Sequence, residues 1–148
     1  MKRNKYGAKK TTIGNITFDS KMESKYYLQL LTLQKAGKIT DLRLQPKYLL
    51  QEKFRRDGKT VSAIHYVADF EYRNHNGLLI VVDVKGAETV DFKIKKKLFL
   101  HKYPEHILKV VTEHNGSFID LYKTKKLESD RKKAVKKLLK RAKGSGAA

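Results

Sequence analysis

Apolar positions recur at two spacings along this chain, and the switches between them outline its elements. Met22, Tyr26, Leu30 and Leu33 fall at helical spacing behind Ser20, a residue suited to an N-cap, and Gly37 is a natural stop. A helix is expected between them. A strand is expected around Leu42–Leu50, entered through Leu44-Gln45-Pro46, and Arg55-Arg56-Asp57-Gly58-Lys59 reads as a turn. A strand over Val61–Tyr72 follows, with Asn74-His75-Asn76-Gly77 closing a hairpin. Leu78–Lys85 is close to a continuous apolar run, which places it centrally in its sheet. Phe92–Lys102 reads as a helix ahead of Pro104, Ile107–Thr112 as a strand, and Lys125–Lys143 as a lysine-rich helix. The order helix, three strands, helix, strand, helix predicts one α/β domain: a mixed β-sheet flanked by helices.

Two carboxylates interrupt the buried pattern. In Leu78–Val84 six of seven residues are apolar and the seventh is Asp83. An aspartate there is costly unless it is paired or binds a metal. Asp83 and Lys85 lie two apart, so they project from the same side of the strand. Asp69 sits in a second apolar stretch, Tyr66-Val67-Ala68-Asp69-Phe70, and the hairpin at residues 74–77 lays the two strands together. Asp69 and Asp83 are then close enough to share Mg²⁺ or Mn²⁺, ions that take oxygen ligands. Lys85 supplies a fixed positive charge of the kind phosphodiester cleavage needs beside the attacking water and the phosphate. Glu23, next to the apolar stripe of the first helix, adds a third carboxylate if that helix packs on the sheet.

Each residue also has a plainer reading. Ser20-x-x-Glu23 has the form of a capping box. Asp69 fits an exposed strand end, and Asp83 with Lys85 a simple ion pair. Gln45 either faces the site or is a polar residue before Pro46. His65 shares a strand face with Asp69 if the strand is regular, and is otherwise an ordinary surface histidine.

Charge changes the picture of partners. The 148 residues carry 34 Lys and Arg against 15 acidic residues, a formal net charge of +19. So basic a chain is drawn to polyanions, nucleic acid first among them. The excess lies at the ends: residues 1–10 hold five Lys or Arg, and residues 123–143 hold eleven. A basic arm over 1–15, a core over 16–122, a basic helix over 123–143 and a flexible tail over 144–148 are expected. Lys93, Lys95, Lys96 and Lys97 add a basic helix face suited to DNA phosphates. There is no cysteine, hence no disulfide framework and no thiolate metal site. The first ten residues lack the apolar core of a secretory signal, and the longest apolar run is too short to cross a membrane. A cytoplasmic location is expected.

Glu23, Asp69 and Asp83-Val84-Lys85, in that order, resemble the PD-(D/E)xK nuclease superfamily. The succession is similar to the phage endonuclease I type of Holliday-junction resolvase: a helical glutamate, an Asp-Phe strand end, an acid-x-Lys-Gly strand end, then a lysine-rich helix. Lys5-Tyr6-Gly7, Phe18-Asp19-Ser20-Lys21-Met22-Glu23, Leu44-Gln45-Pro46 and Ala68-Asp69-Phe70 look closer still to an uncharacterised family of phage-encoded proteins usually assigned to that superfamily. The resemblance spans about residues 5–112. It implies a restriction-endonuclease-like core, catalysis by Glu23, Asp69, Asp83 and Lys85, and metal held by Asp69, Asp83 and Glu23. It gives Gln45 an accessory place; His65 takes one, in proton transfer, on the strand-face reading alone. It implies hydrolysis of branched DNA to 5′-phosphate and 3′-hydroxyl ends by a homodimer in the host cytoplasm. This chain departs in two places: Ala68 precedes Asp69 where proline is usual, and Asp83 stands where glutamate is commoner. A non-catalytic nucleic-acid-binding protein and a restriction or transposon-end nuclease are the competing readings.

Overall fold

The strand Leu79–Val84 organises the molecule, and in the computed structural model, which describes residues 10–121 and 125–145, it lies at the middle of a five-stranded sheet. Numbered in chain order, the elements begin with a short hairpin, β1 (Thr11–Ile13) and β2 (Ile16–Phe18), ahead of α1 (Lys21–Lys35). Then come β3 (Ile39–Leu44), β4 (Lys47–Gln51), β5 (Phe54–Arg56), β6 (Lys59–Val61), β7 (Ile64–Val67), β8 (Phe70–Asn74) and β9 (Leu79–Val84). The helix α2 (Val90–Lys102), the hairpin β10 (Ile107–His114) and β11 (Ser117–Asp120), and α3 (Lys125–Ser145) complete the chain.

The central sheet runs β11-β10-β9-β8-β3. β9 and β10 are parallel, joined through α2, and the other neighbours are antiparallel, so the sheet is mixed. The hairpin between β8 and β9 forms where expected. Asn74 Oδ1 accepts from the N–H groups of Asn76 and Leu78, which fixes the turn. That turn sets the register Phe70↔Val82 and Glu71↔Val81.

Side chains alternate across β9, and each face carries its own core. Ile80, Val82 and Val84 join Phe70, Tyr72, Tyr26, Leu30 and Phe18 beneath α1. Val81 joins Leu108, Val110, Tyr48, Tyr66, Phe92 and Phe99 beneath α2. Val81 and Val82 have no exposure at all, which is why the run reads as continuously apolar. α1 begins at its expected cap, with Ser20 Oγ accepting from the Glu23 N–H at 3.1 Å.

Three expectations change. The strand expected over Leu42–Leu50 is two strands, broken at Gln45-Pro46. Gln45 takes φ +49°, proline at 46 has no N–H to offer, and β3 and β4 therefore join different sheets. The strand expected over Val61–Tyr72 breaks likewise at Ala68-Asp69, with β7 pairing β4 and β8 entering the central sheet. The expected turn at 55–59 is the tip of a separate hairpin, β5 with β6. β1, β2 and β11 are additional, so part of the expected N-terminal arm is folded, and α3 runs on to Ser145, so residues 144 and 145 of the expected tail are helical. Residues 1–9, 122–124 and 146–148, with the Lys5-Tyr6-Gly7 segment and the end of the expected tail, lie outside the described residues. Among the described residues no helix is long and apolar enough to cross a membrane.

Candidate active site

The break at Ala68-Asp69 puts a carboxylate at the C-terminal end of β9. The Asp69 N–H donates to Val82 O at 3.0 Å, and Asp69 Oδ2 accepts from the Val84 N–H at 2.7 Å. The Asp69 carboxylate is thereby fixed against the residue that follows Asp83. Asp83 points to the α2 side and is 2% exposed. Its Oδ2 accepts from the Tyr66 hydroxyl at 2.6 Å, and its Oδ1 lies 3.1 Å from Lys85 Nζ. Lys85 is placed in turn by Phe92 of α2, with Nζ 4.5 Å from the ring centroid.

The electrostatics follow from this packing. Burial, then the charge of Asp83, then that of Glu23 push the Asp69 carboxyl up to about 8, against the pull of the Val84 N–H and Lys85. Glu23 is raised as well, first by burial and next by Asp19, with a smaller push from Asp83. The Tyr66 hydroxyl is pushed upward by burial, by the charge of Asp83 and by its hydrogen bond to it, so it stays a donor. Three acids thus crowd one lysine.

Glu23, Gln45 and Asp69 line one recess of about 110 Å³ with Phe18, Leu44 and Phe70. Gln45 is held there by its backbone: its N–H donates to Asp69 O at 2.9 Å, and Pro46 O accepts from the Ala68 N–H at 3.1 Å. A non-glycine residue at φ +49° is backbone strain of the kind that gathers at functional sites. Glu23, Gln45 and Asp69 thus share the recess, while Asp83 and Lys85 interact electrostatically with Asp69 and Glu23 from the end of β9 without lining it.

The other candidates lie elsewhere. His65 is opposite Leu49 in the β4–β7 pair and alternates with the buried Tyr66, so it does not share a face with the carboxylates once the strand breaks after Val67. Lys93 and Lys97 are exposed on α2, while Lys95 and Lys96 are half-buried, with Lys95 3.7 Å from Asp91. Sequence reasoning missed Tyr66, the partner of Asp83. The alternation of the inward Tyr66 and Ala68 against the exposed Val67 marks Tyr66 as an inward ring, but not which carboxylate it meets.

The groups at this centre able to ligate a cation are carboxylate oxygens, those of Asp69, Asp83 and Glu23, which suits a hard divalent ion. Among the described residues no group of three or more His, Cys, Asp or Glu is arranged to hold a metal by itself. Asp69 and Asp83 fit a hydrated ion, since Mg²⁺ keeps several waters and is bound through one or two carboxylates plus phosphate oxygens.

Residues 3–115 match the family described as "Protein of unknown function (DUF1064)", and the chain belongs to that family. No curated protein matches. A solved structure described as "Crystal structure of SSO0001" is similar at 19% identity and a TM-score of 0.40, covering 66% of this chain. The chain matches 48% of that protein, about half its length.

Proposed function

We propose that this protein is a metal-dependent DNA endonuclease with a restriction-endonuclease-like core, and that branched DNA, four-way junctions above all, is its substrate. One observation carries the reading. Asp69, at the break before β8, and Asp83, on β9, are carboxylates that repel each other when both are charged, and they are fixed beside Lys85 at the end of the central strand. A folded chain gains nothing structural from that repulsion, and a bound cation relieves it. Asp69 and Asp83 would hold Mg²⁺ or Mn²⁺, with Glu23 at the rim. When bound, the ion supplies a polarised phosphate and a water of lowered pKa.

The chain's own residues do the rest. Tyr66 keeps the Asp83 carboxylate in one orientation. Lys85, steadied by Phe92, offers positive charge to the phosphate as negative charge grows on it. Gln45, strained into the recess, lies where a DNA backbone would enter. The net charge of +19 draws the polyanion without reading its sequence. Paired cuts at a junction call for two active sites, hence a homodimer.

A second reading, a nucleic-acid-binding protein without catalysis, draws on Asp83 having both oxygens already engaged, by Tyr66 and by Lys85. The test is cleavage of labelled four-way junction, flap, duplex and single-stranded DNA in Mg²⁺ or Mn²⁺, with EDTA and Asp83→Asn as controls. Symmetric metal-dependent cuts on the junction support the resolvase. Cutting of every substrate keeps the nuclease and removes the selectivity, and site-specific cuts in duplex point to a restriction or transposon-end enzyme. Binding without cutting leaves the second reading.

A further inference from the structure

Between the strands that carry Tyr48 and Tyr66 the chain runs out into a ribbon. β4 pairs with β7 at the root, and β5 pairs with β6 at the tip. Every residue from 51 to 62 is exposed. The tip strands β5 and β6 are nevertheless paired with each other, and their turn is well formed: Asp57 and Gly58 both have positive φ, +52° and +72°, as a type I′ hairpin requires. From Lys47 to Arg56 such a ribbon extends roughly 30 Å, at about 3.3 Å per residue.

The register gives the ribbon an ordered face. Phe54 is opposite Val61, and Arg56 is opposite Lys59, two positions further out on the same side. Phe54 is 43% and Val61 38% exposed, an apolar pair with no cover. Arg56 and Lys59 are like charges directly across a strand pair, an unfavourable arrangement in water, and the fully solvated contact of Arg56 Nε with Asp57 Oδ2 at 3.9 Å is too weak to cancel it. Arg55, on the other side, is tied down by bonds to Gly58 O and Thr60 Oγ1. Apolar pair and cation pair together suit a polyanion whose charges flank an apolar groove wall.

We propose that residues 51–62 form a groove-contacting ribbon for duplex DNA, with Arg56 and Lys59 on phosphates and Phe54 and Val61 against the groove wall. The major groove of B-form DNA admits a two-stranded ribbon, whereas that of A-form RNA is too narrow for side chains to read. A second copy of the chain is a poorer occupant, because two such tips repel. This contact does not require the site at the end of β9 to cleave anything, so it stands apart from the nuclease reading. The root of the ribbon carries Tyr66, however, so DNA held at the tip would lie on an element joined to Asp83.

Binding of a labelled DNA duplex in EDTA, followed by anisotropy over a range of salt, tests the proposal. The double variant Arg56→Gln/Lys59→Gln should bind about tenfold more weakly, with the slope of log K against log salt shallower by about 1.8, the value for two phosphate contacts. Phe54→Ala should weaken binding without changing the slope. The control Lys35→Gln/Lys38→Gln removes the same charge from the end of α1 and should change little. Melting curves that match wild type show that the ribbon variants fold. Unchanged affinity and slope in the ribbon variants overturn the proposal, as does a wild-type protein that ignores duplex. So does a ribbon variant that loses self-association in sedimentation while keeping duplex affinity. Asp83→Asn, assayed in parallel, should bind as wild type does. If no protein cleaves and the ribbon variants still bind weakly, the nuclease reading fails and the ribbon stands.

Discussion

Two carboxylates are buried on the α2 side of the sheet, and both accept a hydrogen bond from a tyrosine of the β4–β7 pair. Asp83 accepts from Tyr66, and Glu71 from Tyr48. The rings of the two tyrosines stack, with centroids 6.4 Å apart. Beyond this the pockets part. Glu71 is opposite Arg43 in the β3–β8 pair, with Arg43 Nη1 at 3.7 Å, so one negative charge meets one positive. Asp83 has Lys85 at 3.1 Å, but Asp69 and Glu23 press on the same lysine. The Glu71 pocket is complete in itself. The Asp83 pocket has negative charge to spare, and it lies at the end of β9 next to Asp69, which lines the recess.

The largest expected effects set these pockets against each other. Asp83→Asn should reduce cleavage by about a thousandfold or more, the scale of losing an essential electrostatic group, without unfolding the chain. Glu71→Gln should do the reverse. It breaks a buried charge-assisted bond and should cost about 1–3 kcal/mol of stability while cleavage persists in the folded fraction. Denaturant melts and single-turnover cleavage on both variants check the pair. Equal losses of activity would erase the distinction between the pockets.

Next in size is the response to metal. Wild type should melt higher in Mg²⁺ than in EDTA, by an amount that reaches about 2.7 kcal/mol at a hundredfold excess over Kd. Asp69→Asn should lose that response, and should melt no lower than wild type in EDTA. Asparagine keeps an oxygen for the Val84 N–H and removes the repulsion with Asp83. Glu71→Gln should keep the full metal response. A metal shift that survives Asp69→Asn would move the ion away from this centre.

The tyrosines give a finer contrast. Tyr66→Phe keeps the ring and removes the hydroxyl from Asp83, so cleavage should fall about ten- to hundredfold, as for partners that orient metal ligands. Tyr48→Phe should leave cleavage per folded molecule unchanged. Metal affinity measured on both variants separates orientation of the carboxylate from general loosening, which would affect the two alike.

How much of this was legible depended on where the pattern was regular. β9 showed itself as an apolar run, and the Asn74–Gly77 turn told which strand lies beside it, so Asp83, Lys85 and the β8–β9 pairing followed from local signals. Ser20 announced α1, and with it the position of Glu23. The breaks were hidden, because a strand that changes sheets at Gln45-Pro46 or at Ala68-Asp69 keeps its β-forming composition on both sides. Those breaks bring Gln45 to the recess and take His65 away from it. β11 had a readable signal: Asn115-Gly116, with φ +50° and +80°, is a hairpin turn of the same kind as Asp57-Gly58. Three-residue strands such as β1 and β2 carry too little alternation to register. Tyr66 and Tyr48 were invisible as partners because their carboxylates come from strands of another sheet.

The smallest expected effect concerns pH at the Glu71 end. His106 lies among the rings of Tyr48, Tyr103 and Phe99, with centroids at 5.8, 5.3 and 6.1 Å. Burial lowers its pKa below the usual histidine value, Arg73 lowers it further, and Glu71 and Glu105 pull it back. A histidine harder to protonate when folded favours the native state above its ordinary pKa, and that preference is lost as pH falls through it, because the unfolded chain takes up the proton first. Asp69 acts in the opposite sense over the same range: its raised pKa means the folded chain holds its proton longer, so stability from that group falls as pH rises from about 4 toward 8. Melting of wild type and His106→Gln in EDTA across this range separates the two. The difference between them should vanish at neutral pH and grow in favour of the variant below the ordinary histidine pKa. A difference constant with pH would mean that His106 contributes packing alone, and that the Glu71 pocket has no proton-linked part.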